Sequence, residues 1–519
     1  MTMCRPAFLL LFLLAARPSL ANWSESSLPH WSLSGACFNV CSVNGSAVQA
    51  GSMGGMPVAV QTLAQSDEPV PAAWSNARFS CANGTGGVVY AVATDGAGKW
   101  YVGGSFTIVN GTQNLSVNHI ACFDAKTNTW SPLGNASGNG VNGEVRAIVV
   151  VGNSVIVGGE FTQANVGSSS PVSVNNLARF DLSTQTWSPL GSEAGNGVNG
   201  RVYALSVLGS RIFVGGDFTQ ANVGSAAQVP ANHLAMFNVR NSTWSALGTA
   251  GGNGVNGVVY AIASVGEEVF IGGDFTEANC GGAVLKANAI ARFHLTANRW
   301  STLGSGGGNG VSGASQPAVY ALAVSGEDVF VGGEFTQVNA GSPILANYIA
   351  RFHTGTNTWS PLGKPPGNGV NGAVNAIAVL GNSVFVGGFF TKANLGATLP
   401  VMASYVARFH LDSQTWSVLS SGSGVNNEVY AIAASGNDVF IGGNFTQANV
   451  GGSATVSASF VVRFNAGTNT WSVIGFELGY QHRNFQDAQP SAKQAQSLQS
   501  DALVVAAAVG GSKTALMLT

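Results

Sequence analysis

Apolar and polar residues alternate in short runs along most of the chain, and the same order of runs returns at a regular interval. A representative copy is Arg201 to Gly257, RVYALSVLGSRIFVGGDFTQANVGSAAQVPANHLAMFNVRNSTWSALGTAGGNGVNG. Four of its runs are rich in Val, Ile, Phe, Tyr and Trp and are bounded by Gly, Asn, Ser and Thr, which is typical of four antiparallel strands. We name these strands A to D: Val202 to Val207, Arg211 to Thr219, Leu234 to Asn238, and a strand around Trp244.

Two landmarks recur in every copy, a pair of glycines in strand B and a tryptophan in strand D. The glycine pairs begin at Gly103, Gly158, Gly215, Gly272, Gly332, Gly387 and Gly442. The tryptophans are Trp130, Trp187, Trp244, Trp300, Trp359, Trp416 and Trp471. A spacing of 55 to 60 residues is in the range of propeller blades. One such sheet leaves both faces apolar and needs neighbours, so the pattern predicts an all-β, seven-bladed β-propeller of four-stranded antiparallel blades.

The repeat also resembles a known type. The glycine pair, and the aromatic residue that precedes a Trp by seven positions, as in Phe180 to Trp187, resemble the kelch-type repeat. The VGGxFT, NxIARF and TWSPLG segments are similar to propeller repeats of secreted microbial proteins and of fungal cortical cell-polarity markers. The resemblance covers about three quarters of the chain. It implies a kelch-like fold and leaves the function open, because kelch propellers serve enzymes, adhesins and scaffolds alike.

The flanking segments predict the remaining organisation. Residues 1–21 have a basic start, an apolar run and small residues at the end, which is typical of a secretory signal peptide. Residues 22–87 predict an irregular N-terminal cap, in which Ala73 to Phe79 would add a closing strand. Residues 88–477 form the propeller, and residues 478–519 a low-complexity tail with a helix predicted at Ser491 to Val509. The apolar run in this tail is too short to span a membrane.

Composition agrees with a secreted or cell-surface protein and removes several function classes. Glycine accounts for 70 of 519 residues, and only 8% of residues are charged, against about 25% in ordinary domains. A net charge of −2 with scattered Lys and Arg argues against nucleic-acid binding. The sequence contains no nucleophile elbow, zincin, C-x-x-C or P-loop motif, and we expect no cofactor.

We therefore predict a monomeric, non-enzymatic module that binds a protein or an extracellular glycan. One alternative is a secreted carbohydrate-active enzyme, an oxidase or hydrolase, with its site at the axial channel. Arg146, Asn375 and Phe389 depart from the repeat near that channel, but they form no acid–base pair. Another alternative is a structural component of a wall or matrix.

Sequons and cysteines give further expectations for a secreted chain. Asn444 lies in a sequon inside strand B, which does not suit a glycan. Glycosylation is predicted at the remaining sequons, which are Asn22, Asn44, Asn83, Asn110, Asn114, Asn135 and Asn241. A disulfide among Cys37, Cys41 and Cys81 is one expectation, and its pairing stays open.

Chain direction places the long B–C loops and the D–A loops on one face of the propeller, which we call the loop face. Five D–A loops carry GNGVNG or GNGVSG, at Gly138 to Gly143, Gly195 to Gly200, Gly252 to Gly257, Gly308 to Gly313 and Gly367 to Gly372. These match the dinucleotide pattern but lack the helix that it requires, so they are predicted to be turns. The B–C loops are apolar in the fourth to sixth blades, which predicts a protein interface there; loops packing on one another are the alternative. The apolar residues are Val284, Leu285, Ile344, Leu345, Leu399, Val401 and Met402.

Two residue sets are predicted near the axis on the same face. The second position of strand A holds Tyr90, Tyr203, Tyr260, Tyr320 and Tyr430, with Arg146 and Asn375 in the other blades. The residue after the glycine pair is acidic in four blades, at Glu160, Asp217, Asp274 and Glu334. Tyrosine rings beside carboxylates would suit a sugar or a cation. The favoured alternative is structural ion pairing with strand C, of Glu160 with Arg179, Asp274 with Arg292 and Glu334 with Arg351.

Three histidines share one position just before the C–D turn, at His294, His353 and His410. They lie on successive blades, too far apart for one metal ion, and other blades carry Asp or Asn at this position. No metal site is predicted.

Overall fold

The computed structural model describes residues 83–475, except 110–114, 136, 193–194, 249–250 and 305–308, together with four short strands outside that range. The predicted signal peptide, the closing strand at 73–79 and the side chains of Cys37, Cys41 and Cys81 lie outside the described residues. The described residues contain no helix with the length and apolar character that crossing a bilayer requires.

The chain divides into two compact units, Met1–Ser75 and Asn76–Thr519. In the first unit, Asn39–Val43 pairs antiparallel with Ser46–Ala50. In the second, Val504–Val505 pairs with Leu516–Met517. The helix predicted for 491–509 is therefore not formed at residues 504 and 505, where the β-branched valines extend instead.

Seven of the four-stranded antiparallel sheets described in residues 83–475 are the blades, each with its strands A to D side by side in chain order. Strand A comprises Val89–Thr94, Val145–Val151, Arg201–Leu208, Val259–Val265, Ala318–Ser325, Val374–Leu380 and Val429–Ser435. Strand B comprises Lys99–Gly104, Ser154–Gly159, Arg211–Asp217, Glu268–Gly273, Asp328–Glu334, Ser383–Gly388 and Asp438–Gly443. Strand C comprises Ile120–Asp124, Leu177–Asp181, Leu234–Asn238, Ile290–His294, Ile349–His353, Val406–His410 and Val461–Asn465. Strand D comprises Thr129–Pro132, Thr186–Pro189, Thr243–Ala246, Arg299–Ser301, Thr358–Pro361, Thr415–Ser417 and Thr470–Ser472.

The blades form a ring with their seven strands A at its centre. Each strand A contacts strand A of the next blade, and that of the seventh blade contacts that of the first. The predicted all-β propeller architecture is confirmed.

The glycine pairs are required by close packing between blades. A β-carbon on Gly272, the first of its pair, would lie 2.4 Å from Cγ1 of Val319 in the next blade. A β-carbon on Gly273 would lie 2.0 Å from the carbonyl oxygen of Val258, beside the bulge between Val259 and Ala261. Both distances are shorter than any van der Waals contact allows, so neither position accepts a larger residue without movement.

The strand D tryptophans lie in the core, as the sequence indicates. Trp187 packs on Phe180 with their ring centroids 5.1 Å apart. Its Nε1 donates a hydrogen bond to the carbonyl oxygen of Leu133 in the preceding blade, at 3.0 Å. Trp359 makes the same bond to Leu303. Each of these rings therefore links two blades as well as filling one.

Short strands on the loop face form a second set of small sheets, the crown sheets. In the second blade, Gly138–Val141 of the incoming D–A loop pairs with Gln163–Val166, which pairs with Val172–Ser173. The prediction of simple turns was wrong for these loops, because their backbone finds a partner in the B–C loop. The middle glycine still needs a positive φ, 57° at Gly140, which glycine adopts readily.

The other crown strands follow the same plan. Those of the D–A loops are Gly195–Val198, Asn253–Val255, Val311–Ser312 and Asn368–Val370, and Gly134–Asn135 and Gly191–Ser192 pair with the first two such loops. Those that open the B–C loops are Ile108–Val109, Gln220–Val223, Glu277–Cys280, Gln337–Val338, Lys392–Leu395 and Gln447–Ala448. Those that end the B–C loops are Leu115–Ser116, Val229–Pro230, Leu285–Lys286, Ile344–Leu345, Val401–Met402 and Val456–Ser457.

An asparagine fastens most crown sheets. Oδ1 of Asn256 accepts hydrogen bonds from the backbone N–H groups of Thr276 (2.8 Å) and Glu277 (2.9 Å). Its Nδ2 donates to Thr276 Oγ1 at 3.0 Å. The same contacts recur at Asn142, Asn199, Asn371 and Asn426. These hydrogen bonds explain why the D–A loops repeat a Val-Asn pair and the segments after the glycine pairs repeat a Phe-Thr pair.

The segment before the first blade closes the ring by acting as a D–A loop. Asn83 Nδ2 donates to the carbonyl oxygen of Ser457 at 2.9 Å, and its Oδ1 accepts from the N–H of Ser459 at 3.2 Å. The N–H of Gly84 donates to Ile474 at 3.0 Å, and Thr85 bridges to Val109 in the first blade. The segment therefore joins the seventh blade to the first, and the predicted cap boundary at residue 87 cuts through it.

We expect Gly272→Ala to lower the free energy of unfolding by about 1–3 kcal/mol, because the new methyl group overlaps Val319. Val319→Ala removes the opposing methyl groups, so the double variant should lose less than the sum of the two single losses. Denaturant unfolding of all four proteins measures this coupling. Strictly additive losses would show that the two residues do not share one packing contact.

We expect Asn83→Ala to lower the free energy of unfolding by about 1–3 kcal/mol, because it removes two hydrogen bonds that close the ring. The matched control is Thr85→Val, which destroys the same sequon but places valine where Val141 lies in the next D–A loop. Thr85→Val removes only the hydrogen bond from Oγ1 to the carbonyl oxygen of Gly87, at 2.8 Å, so it should lose less stability than Asn83→Ala in thermal unfolding. Equal losses in the two variants would contradict a closing role for Asn83.

Candidate binding surface on the loop face

Exposed apolar side chains concentrate on the loop face of blades four to six. The exposed fractions are 84% for Leu399, 58% for Leu345, 57% for Met402 and 48% for Val284. We call these four residues the apolar arc. The structure thus places Leu345, Leu399 and Met402 in solvent, whereas Ile344, also predicted to bind, packs against the core of the fifth blade. Successive side chains of a strand point to opposite faces, which explains why Leu345 is exposed while the adjacent Ile344 packs inward.

The tyrosines of strand A come together around the axis. Ring centroids are 5.5 Å apart for Tyr203 and Tyr260, and also for Tyr260 and Tyr320. Tyr90 and Tyr430 are separated by 5.7 Å. Together with Arg146 and Asn375 they line a cavity of about 200 Å³ at the mouth of the channel. We call this ring of strand A side chains the collar.

Arg146 replaces a tyrosine in this collar and interacts with its neighbours. Its guanidinium carbon lies 4.5 Å from the ring centroid of Tyr90 and 5.7 Å from that of Tyr203. Its NH2 group donates to Glu144 Oε2 at 2.5 Å. The cation–π contacts and the ion pair hold the arginine in the ring of aromatic residues.

The tyrosine hydroxyls bond to the acids that follow the glycine pairs. Tyr260 donates to Asp274 Oδ2 at 3.1 Å, and Tyr320 donates to Glu334 Oε2 at 3.4 Å. Burial, and then the nearby carboxylates, raise the pKa of both tyrosines. The hydroxyls therefore stay protonated and act as structural donors.

The predicted ion pairs between these acids and strand C are wrong. Arg292 is opposite Phe270 in the sheet, so its same-side neighbour is Glu268 at the start of strand B, with Nε to Oε2 at 3.0 Å. Asp274 lies beyond the other end of that strand. The prediction overlooked this register. The two other arginines also bind different acids, Arg179 with Asp181 at 3.3 Å and Arg351 with Asp328 at 3.6 Å.

The remaining acids of the set have partners at the mouth. Glu160 accepts hydrogen bonds from Arg201 of the next blade, with Oε2 to Nε at 2.7 Å, and these bonds lower the pKa of its carboxyl. Asp217 Oδ1 lies 3.8 Å from Nδ1 of His233. The acids thus remain on the loop face instead of joining the outer strands.

A pocket of about 400 Å³ lies between the fifth and sixth blades. Its walls include Glu334, Tyr348, Asn371, Phe389 and Tyr405, and we call it the Phe389 pocket. Phe389 follows a glycine pair, where blades two to five carry an acid. That departure from the repeat was the one feature of the sequence that indicated this pocket. The two tyrosines were missed because their position is occupied by varied residues in the other blades.

That varied position, one residue before strand C, has a left-handed backbone in every blade. Tyr348 has a φ of 64° and Tyr405 a φ of 63°, a conformation that bulky residues rarely adopt. The other blades carry His119, Asn176, His233, Ala289 and Phe460 there. The position therefore presents a variable side chain on the loop face at a fixed backbone geometry.

The histidines before the C–D turns act as turn residues. Nδ1 of His294 accepts a hydrogen bond from the N–H of Ala297 at 3.0 Å, and Nδ1 of His353 accepts one from Thr356 at 3.2 Å. Asp181 does the same for Ser183. Among the described residues, no group of three His, Cys, Asp or Glu side chains is placed to hold a metal ion.

Glycosylation stays a prediction, and the structure places only some of its sites. Asn241 is exposed in a C–D turn, whereas Asn83 is 9% exposed and hydrogen bonded through its amide. Asn135 lies in a crown strand. Asn22, Asn44, Asn110 and Asn114 lie outside the described residues. Cys122 is a buried free thiol, and burial raises its pKa to about 11.

Comparison with known families gives a partial match. The family model described as the Rax2 C-terminal beta propeller domain matches residues 72–210. The chain is a β-propeller repeat protein. The matched segment spans about a quarter of this propeller protein, and it agrees with the similarity to fungal cortical cell-polarity markers. The kelch-type resemblance stays a prediction. The comparison with curated proteins found no match.

Three solved structures illustrate the similarity of the propeller to distant folds. The computationally designed Ika8 protein is 15% identical with a TM-score of 0.42, covering 77% of this chain and 91% of that one. The WD40 beta propeller domain of Doa1 is 12% identical with a TM-score of 0.41, covering 69% and 90%. A chain of the mitotic checkpoint complex is 12% identical with a TM-score of 0.41, covering 75% and 96%. No functional conclusion follows from similarities this distant.

We expect His119→Asn to reduce the loss of stability of the propeller in acid. Burial lowers the pKa of His119 from its usual value of 6.5, so the unfolded chain binds more protons as the pH falls below that value. The free energy of unfolding then falls with pH until the folded histidine is also protonated. Asparagine keeps the left-handed backbone, as at Asn176, and removes the titration.

Thermal unfolding between about pH 7.5 and about pH 5 measures this effect. The reciprocal variant Asn176→His should steepen the acid-induced loss. An unchanged pH dependence in both variants would rule out this position as a source of acid sensitivity.

Proposed function

We propose that this propeller is a secreted or cell-surface, non-enzymatic interaction module that binds a protein partner through the loop face of blades four to six. The observation that carries the proposal is the apolar arc. Six large apolar side chains are exposed among the described residues, and five of them, the arc and Phe389, lie on this face in these three blades. Exposed apolar side chains clustered in this way mark interaction surfaces.

Two residues of the apolar arc, Leu345 and Met402, are held in crown strands, which favours binding. Leu345 belongs to the crown strand that pairs with Gln337–Val338, and Met402 to the strand that pairs with Lys392–Leu395. Asn371 fastens the sixth crown sheet through three hydrogen bonds. A partner would therefore meet side chains on an ordered backbone, and binding would lose little conformational entropy.

The composition and termini support the location in this proposal. A signal-like N-terminus, sequons, and a charged fraction of 8% are features of extracellular propellers rather than of nucleic-acid-binding or intracellular domains.

The test is capture of a partner by the immobilised protein and by two variants. Leu399→Asp with Met402→Asp places two charges on the apolar arc, and we expect the affinity of a captured partner to fall at least about tenfold. Val239→Asp is the matched control, because Val239 is the sixth exposed large apolar residue and lies in a C–D turn on the other face.

The candidate partners are the surface and secreted proteins of the cell that makes this propeller. Biosensor measurements on each captured protein give the affinities. A partner that binds the arc variant and the wild type equally would contradict the proposal. So would binding to a glycan array that is the same in the wild type and the arc variant, with no protein captured.

A further inference from the structure

We infer that the Phe389 pocket takes a basic side chain, lysine or arginine, of the protein partner. This inference rests on the proposed function and names the chemistry at its centre. The pocket combines exposed aromatic surface with one carboxylate. Phe389 is 55% exposed, and its ring centroid lies 6.1 Å from that of Tyr405, at an interplanar angle of 54°.

The aromatic walls suit a cation. Phe389 and Tyr405 lie on one side of the crevice between the blades, and Tyr348 reaches it from the fifth blade. The faces of such rings are electron-rich and attract an ammonium or guanidinium group. The rings also cover the methylene groups of a lysine or arginine, which bury well against apolar surface.

The carboxylate supplies the opposite charge. Glu334 is the only acidic or basic residue among the described residues that line the pocket. One of its oxygens, Oε2, accepts a hydrogen bond from Tyr320, and a carboxylate can accept several more. Asp274 holds the equivalent position in the fourth blade, and its carboxylate, like that of Glu334, acts electrostatically on Tyr320.

Two neutral polar side chains of the pocket, Asn371 and Thr391, favour a cation over a sugar. Asn371 and Thr391 are bonded to each other: Asn371 Nδ2 donates to Thr391 Oγ1 at 3.1 Å, and Asn371 Oδ1 accepts from the N–H groups of Thr391 and Lys392 at 2.8 Å each. A sugar needs several unoccupied donors and acceptors. These amide and hydroxyl groups are already used, whereas the aromatic faces and Glu334 remain for a cation.

The apolar arc adjoins this pocket along the chain. Leu345 precedes Tyr348 by three residues, and Met402 precedes Tyr405 by three residues. A partner segment that places a basic residue in the pocket would thus bring its neighbours toward apolar side chains. We expect the recognised segment to be a lysine or arginine flanked by apolar residues.

The experiment uses the whole protein as bait for a phage-displayed library of random 12-residue peptides. Selected peptides should be enriched in lysine or arginine beside apolar residues. For an enriched peptide, Glu334→Gln and Phe389→Ala should each weaken binding about tenfold. Replacing the basic residue of the peptide by norleucine should weaken binding to the wild type by a similar factor, and much less to Glu334→Gln, because the two changes remove one interaction.

Asp217→Asn is the matched control, because it removes the equivalent acid of the third blade outside the pocket, and it should leave the affinity unchanged. Thermal unfolding checks that each variant is folded. Peptides without basic residues, or affinities that do not respond to Glu334→Gln, would overturn the pocket assignment. If such peptides still depend on Leu399 and Met402, the proposed function survives that result. Glycan-array binding that is lost in Phe389→Ala would overturn the assignment in favour of a sugar site.

Discussion

Neighbouring blades approach one another at the first glycine of each pair. The β-carbon of any larger residue there would collide with a valine of the next blade. Val202 fills the space beside Gly158, and Val374 the space beside Gly332, at 2.5 and 2.4 Å from where a β-carbon would stand. The residue after such a valine, as Tyr203 follows Val202, faces the axis. One steric requirement therefore sets both the spacing of the blades and the ring–ring distances in the collar.

The repeat was enough to predict the blades, but not the crown sheets. Strand C of the third blade runs from Leu234 to Asn238, as expected, because a β-branched and aromatic run between turn residues is a local feature. The segment Gly138–Val141 has no such feature. Its partner Gln163–Val166 is about 25 residues away, so only the folded ring shows that a glycine-rich loop is a strand.

Some parts of the candidate surface could likewise be predicted from the sequence, and others could not. Loop composition was sufficient to predict exposed leucines such as Leu399, since loops of a β-propeller lie at its surface. The ion pair of Arg292 required the strand register, in which a shift of two residues exchanges Glu268 for another partner. The Phe389 pocket collects residues from separate segments between 334 and 405, and no spacing in a single repeat relates them.

The closing contacts of Asn83 have a consequence for the order of events at synthesis. Asn83 and Ser457 are 374 residues apart, so the side-chain amide of Asn83 has no acceptor on the seventh blade until almost the whole repeat array has been synthesised. Earlier blades can stack as they emerge, each on the one before it. Completion of the circle is therefore a late event of high contact order, and a truncated chain that ends before the seventh blade leaves the apolar faces of its first and last blades uncovered.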